Sequence, residues 1–96
     1  MSYTIYWTKE AHETFDSIVL TIENTWGIKQ AGIFVKRVQQ ISTLIADQPY
    51  LFKASFDQNL RQATISQQTS MFYEVNKTSI NILFFFDNRQ EPLFER

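Results

Sequence analysis

Cysteine is absent from all 96 residues. That excludes disulfides, thiolate zinc sites and cysteine nucleophiles, and a chain without thiols suits a reducing cytoplasm. Histidine is nearly absent too. His12 stands alone, so a metal centre would have to be built from carboxylates, and the ten acidic residues are scattered along the chain. Neither a metal nor another cofactor is expected. No apolar run approaches the ~20 residues that cross a bilayer, and Met1-Ser2-Tyr3-Thr4 lacks the basic stretch and apolar core of an export signal. A soluble, unexported protein with no membrane partner follows as an expectation. An excess of cations is missing as well: nine Lys and Arg against ten Asp and Glu give a formal charge of −1. Any contact with nucleic acid would therefore need a local patch.

What the chain does have is apolar and aromatic mass. A length of 96 residues, 44% hydrophobic and 16% aromatic, fits one compact domain over residues 1–96 with a single core. Each fully buried Phe-sized side chain contributes roughly 1.5–3 kcal/mol, so the domain can stand without covalent staples.

Tyr3-Thr4-Ile5-Tyr6-Trp7 is rich in aromatic and β-branched residues and reads as a short strand; Thr8 can cap a helix behind it, with Glu10 in the first turn. From Lys9 the apolar residues Ala11, Phe15, Ile18, Val19 and Ile22 recur at three- and four-residue spacing, one stripe of a helix ending near Asn24-Thr25-Trp26-Gly27. Gly27 can take a left-handed conformation and reverse the chain. Ala31, Phe34, Val35, Val38, Ile41 and Ile45 mark a second helix, stopped before Pro49. The short joint predicts an antiparallel hairpin. Pro49 to Leu60 has no period and reads as a loop that can carry a short extended piece. Arg61 to Ser66, Met71 to Val75 and Ser79 to Phe86 read as three antiparallel strands. In the last, Ile80, Ile82, Phe84 and Phe86 alternate with Asn81, Leu83 and Phe85, which predicts a central strand with one wholly apolar face. Asp87-Asn88-Arg89-Gln90-Glu91-Pro92 closes it with turn chemistry. The order strand, helix, helix, three strands predicts an α+β fold of two layers, the hairpin packed on a mainly antiparallel sheet.

Several segments, in this order, resemble the RelE/ParE superfamily of type II toxin–antitoxin toxins over roughly Tyr6 to Phe94. They are Trp7-Thr8-Lys9-Glu10-Ala11; Trp26-Gly27-Ile28-Lys29-Gln30-Ala31 with Phe34 and Val35; Gln48-Pro49; Leu60-Arg61; Met71-Phe72-Tyr73-Glu74-Val75; and Ile80-Asn81-Ile82-Leu83 running to Asp87-Asn88-Arg89-Gln90-Glu91-Pro92. No single piece is specific; their joint order and spacing carry the likeness. The resemblance implies the same β-α-α-β-β-β fold, growth inhibition, and a cognate antitoxin protein as partner, with operator DNA met only through that antitoxin. It also implies one of two targets. RelE-type members cleave messenger RNA in the ribosomal decoding site, using basic residues and often a Tyr or His; ParE-type members poison DNA gyrase and have no hydrolytic site.

A metal-free ribonuclease needs a group to take the 2′-hydroxyl proton, cations for the phosphate and an acid for the leaving oxygen. By alignment with RelE-like enzymes, Arg61 and Arg89 fall near two of their basic positions, and these are the catalytic candidates if the chain is a ribonuclease. Ala63 and Ser70 occupy other such positions, and Phe94 stands where a Tyr or His would be expected. From Pro49 onward the cations Lys53, Arg61, Lys77, Arg89 and Arg96 are balanced by Asp57, Glu74, Asp87, Glu91 and Glu95, whereas a ribosome-binding enzyme gathers cations over its site. A ParE-like, non-hydrolytic gyrase poison is therefore the leading expectation. A ribosome-dependent mRNA endonuclease is the alternative, and a non-toxic interaction module of the same fold is the third. Arg61, Tyr73, Arg89 and Phe94 are the candidates for contact with target or antitoxin.

Each candidate also has a purely structural reading. Arg61 can pair with Glu74 or Asp87 across the sheet, and Arg89 with Asp87 or Glu91. His12 reads as a solvated side chain, Trp26 as a core anchor at the helix turn, and Tyr73 as a sheet residue whose hydroxyl reaches an edge. Phe84-Phe85-Phe86 reads as core, but a strand apolar on both faces needs covering on both, and the second cover could be the antitoxin.

Overall fold

The computed structural model describes residues 2–54 and 59–88. Six elements follow in order: β1 (Thr4–Trp7), α1 (Lys9–Trp26), α2 (Ile28–Asp47), β2 (Leu60–Thr64), β3 (Thr69–Val75) and β4 (Ser79–Asp87). The strands form one sheet in the order β1-β4-β3-β2. Its last three strands are antiparallel, and β1 adds to β4 in parallel. β4 is central, as its apolar faces require.

Thr8 caps α1: its hydroxyl oxygen accepts from the Ala11 amide at 3.0 Å. The stripe Ala11, Ile18 and Ile22 is buried, with Phe15 and Val19 packed beside it. Gly27 adopts φ 100°, a conformation that L side chains rarely take, and turns the chain straight into α2. On α2 the buried residues are Ala31, Phe34, Val38 and Ile45. Both stripes pack on one face of the sheet, whose rows Ala63–Met71–Phe85 and Tyr73–Ile82–Trp7 lie beneath them.

Besides β3, which begins at Thr69 rather than Met71, three expectations about the fold need correction. β2 starts one residue earlier than the sequence predicts and ends at Thr64, because Ile65 and Ser66 donate their amides to the Thr69 carbonyl and close the turn into β3. Trp26 is no core anchor. It is 64% exposed, because the sheet-facing stripe of α1 has already ended at Ile22. The third concerns β4, whose alternation breaks. The register shifts between Phe72 and Tyr73, so that Phe72 pairs with Phe84 but Tyr73 pairs with Ile82, leaving Leu83 as an extra residue. Beyond this bulge it is Phe85, not Phe84 or Phe86, that faces the core.

The bulge leaves backbone groups of β4 exposed on the edge where β1 has ended, and α1 satisfies them. Thr8 donates its hydroxyl hydrogen to the Leu83 carbonyl at 2.7 Å, and Thr14 Oγ1 accepts from the Phe85 amide at 2.9 Å. Two threonines thus lock the helix to the irregular part of the central strand. In the loop, Ala54 makes an isolated bridge to Arg61, the short extended piece foreseen there. Ser55, Phe56 and Asp57, and the turn residues from Arg89 on, lie outside the described residues.

Candidate functional site

Arg61 and Tyr73 are direct cross-strand partners and point to the same face, at the end of the sheet where the loop after α2 returns. The Arg61 guanidinium donates to the Phe52 carbonyl at 2.7 Å and lies 4.8 Å from the centre of the Tyr50 ring. This contact is cation–π in kind. Tyr73 is fully buried, and its hydroxyl donates to the Pro49 carbonyl at 3.1 Å. Burial raises the Tyr73 pKa above the ordinary 10.0, and the positive charge of Arg61 offsets only part of that rise. The hydroxyl of Tyr73 therefore stays protonated at neutral pH. It does not reach a sheet edge; it is an internal tie to the loop.

The expected pairing of Arg61 with Glu74 is overturned by strand geometry. Alternate residues of a strand face opposite sides; Arg61 sits opposite Tyr73, while Glu74 sits opposite Leu60 on the other face, where it accepts from Asn81 Nδ2 at 3.2 Å. Asp87 is no partner for Arg61 either, since it ends β4 opposite Thr69 at the start of β3, whereas Arg61 stands opposite Tyr73 near the end of β3. Arg89 and Phe94, the other two candidates, fall outside the described residues. Among the described residues of the four strands Arg61 is the only cation, and Ala63 beside it is buried. His12 is exposed, as expected, with its ring 5.0 Å from that of Trp7 at the rim of a groove of about 670 Å³ lined by Ile5, Trp7, Phe15, Asp16 and Val38. No three His, Cys, Asp or Glu side chains among the described residues are close enough to hold a metal ion.

The face of the sheet turned away from the helices carries Tyr6, Phe72, Phe84 and Phe86 on β1, β3 and β4, with Gln62, Thr64 and Ser70 toward β2. Phe72 and Phe84 stack at 4.8 Å between ring centres, and Phe86 is 41% exposed. The sequence signalled apolar residues on both faces of β4, but which phenylalanines face outward was set by the bulge. A second apolar opening of about 570 Å³ lies between the hairpin and the β2–β3 turn, lined by Trp26, Ile33, Phe34, Arg37, Ser66 and Gln68. Sequence reading missed it by placing Trp26 in the core.

One strand, a helical hairpin and three further strands, closed as β1-β4-β3-β2, constitute a RelE/ParE-like α+β fold. Among solved structures the chain is similar to the chromosomal ParDE TA system from P. aeruginosa, at 18% identity and TM-score 0.75 over 90% of this chain and 96% of that one. It is also similar to the YoeB dimer from Staphylococcus aureus, at 14% identity and TM-score 0.64 over 90% and 97% of the two chains. A third likeness is to the E. coli DinJ-YafQ toxin-antitoxin complex, at 7% identity and TM-score 0.62 over 95% and 98%. No family model and no curated relative matches the sequence. At these identities the likeness establishes a common fold spanning nearly the whole of each chain. No described helix is long and apolar enough to cross a membrane.

Proposed function

We propose that this protein is the toxin of a type II toxin–antitoxin pair, neutralised by a cognate antitoxin, and that it acts in the ParE manner, on DNA gyrase and without hydrolysis. The observation that carries the non-hydrolytic reading is the state of the two described candidate side chains. Arg61 and Tyr73 are both committed to the loop after α2, one through the Phe52 carbonyl and the Tyr50 ring, the other through the Pro49 carbonyl. General acid–base catalysis needs a group near its pKa at working pH and free to reach the reacting atoms. A buried tyrosine with a raised pKa, already donating its hydrogen, meets neither condition. Arg61, the one cation among the described residues of the strands, is used as a clamp and by itself supplies little field for a phosphate.

The antitoxin part of the reading is supported by the aromatic face of the sheet turned away from the helices, where Tyr6 is 56% and Phe86 41% exposed beside the buried Phe72. An apolar surface of this kind marks an interaction site, and a partner can cover it with an amphipathic helix or an added strand. ParDE is a TA system and DinJ-YafQ a toxin-antitoxin complex, so proteins of this fold do work in such pairs.

The experiment is to induce the chain in a bacterial host without any neighbouring gene and to pulse-label DNA and protein synthesis over the first minutes. DNA synthesis is expected to stop first, with DNA-damage signalling rising. An earlier stop in protein synthesis would overturn the gyrase reading in favour of ribosome-dependent RNA cleavage. Unimpaired growth with the folded protein present would leave an interaction module of the same fold.

A further inference from the structure

Nothing among the described residues packs against the position where Gly32 lacks a side chain. This glycine lies within α2 and does not have a positive φ, and a Cβ built there would meet nothing within 4 Å. Glycine at such a position weakens a helix relative to alanine. What it provides is a notch on the solvent side of α2. Beside the notch is Ile33, 47% exposed, and flanking both are Lys29 and Lys36, seven residues apart and exposed. The solvent side of α1 carries the complement. Leu20, 57% exposed, stands between Asp16 and Glu23, also exposed and also seven residues apart. Seven residues are about two helical turns, so the two sets of charges have the same spacing with opposite sign. Among the described residues the one ion pair is Lys9 with Glu13; none of these four charges is used within the described fold.

We propose that the outer face of the α1–α2 hairpin is a self-association surface, on which two copies of this chain pair about a twofold axis running parallel to the helices. The geometry of the hairpin sets the register. Because Gly27 joins the helices directly, residues equally distant from it in sequence stand at nearly the same height on α1 and α2. A twofold axis parallel to the helices preserves height while it lays α1 of one copy antiparallel on α2 of the other. Leu20 then enters the notch at Gly32 beside Ile33, Asp16 meets Lys36 and Glu23 meets Lys29, each within a turn of level. Twofold symmetry makes every contact twice. The occupant is a second copy because the knob, the notch and both sets of charges belong to one chain in one matching register. The surface lies on the layer opposite the open sheet face, so pairing leaves that face free.

The test is sedimentation equilibrium of the full chain, made by cell-free synthesis so that growth arrest does not select variants. The wild type is expected at twice its mass of 11.4 kDa, with the dimer weakening as salt is raised. The double variant Lys29→Glu, Lys36→Glu should weaken pairing by about tenfold or more, since each pair becomes a like-charge contact. Adding Asp16→Lys and Glu23→Lys should restore it. All four positions are exposed, so circular dichroism should be unchanged throughout. A wild type that stays monomeric at about 100 μM, near the weak end of specific association, overturns the proposal. So does a double variant that pairs as the wild type does, or a folded quadruple variant that fails to recover.

Discussion

Three consecutive phenylalanines of one strand meet three different surroundings. Phe85 is 3% exposed among Trp7, Phe15 and the α1 stripe. Phe84 is stacked on Phe72 on the other face, and Phe86 is 41% exposed there. Their intrinsic hydrophobicity is the same, so burial here is decided by register. One extra residue at Leu83 turns the strand over, and two threonine hydroxyls, from the cap and the first turns of α1, hold it turned. The covered face is what keeps the chain folded; the open face is what it has left to offer a partner.

That contrast can be broken at its strongest point first. Phe85→Ala should cost about 3–5 kcal/mol through a core cavity, whereas Phe86→Ala should stay within about 0.5 kcal/mol as a surface change while weakening binding of the antitoxin proposed above. Urea unfolding of both variants checks the difference, and equal losses would mean that the bulge does not place the two rings as described. Next in size, Thr14→Val removes the acceptor for the Phe85 amide with little change of shape. An amide left without a partner costs roughly 1–3 kcal/mol, and faster hydrogen exchange at Phe85 should accompany the loss. Tyr73→Phe should cost about 1 kcal/mol, the net worth of its bond to Pro49. Its pH dependence has a definite sign. A folded-state pKa raised above 10.0 gives stability that is complete below pH 10 and is lost as pH rises toward the folded value. Wild type should therefore weaken above that pH, and Tyr73→Phe should lack this part of the alkaline loss. The smallest effect belongs to Trp26→Ala. At 64% exposure it should shift stability by no more than about 0.5 kcal/mol, and a loss of several kcal/mol would return Trp26 to the core.

Much of the fold was legible from pattern. Helical stripes from Ala11 to Ile22 and from Ala31 to Ile45, the cap at Thr8 and the reversal at Gly27 all stand where their spacing and chemistry put them. The candidate site was less so. Arg61 and Tyr73 were named as contact residues, yet the partners that hold them, Tyr50, Phe52 and Pro49, come from a loop without period. Thr8 and Thr14 as anchors of β4 were not legible, because their bonds join residues more than 70 positions apart.

By itself, then, the sequence determined the class of structure, since periodicity, capping and turn chemistry are local and act wherever the chain goes. It also determined the opposed charges of the two helices, which are simply written along them. Only the tertiary structure decided the parallel placement of β1 beside β4, the outward turn of Phe84 and Phe86, and the exposure of Trp26. Each depends on which distant groups find partners and on which elements pack against one another, and neither condition is stored in any short stretch of chain.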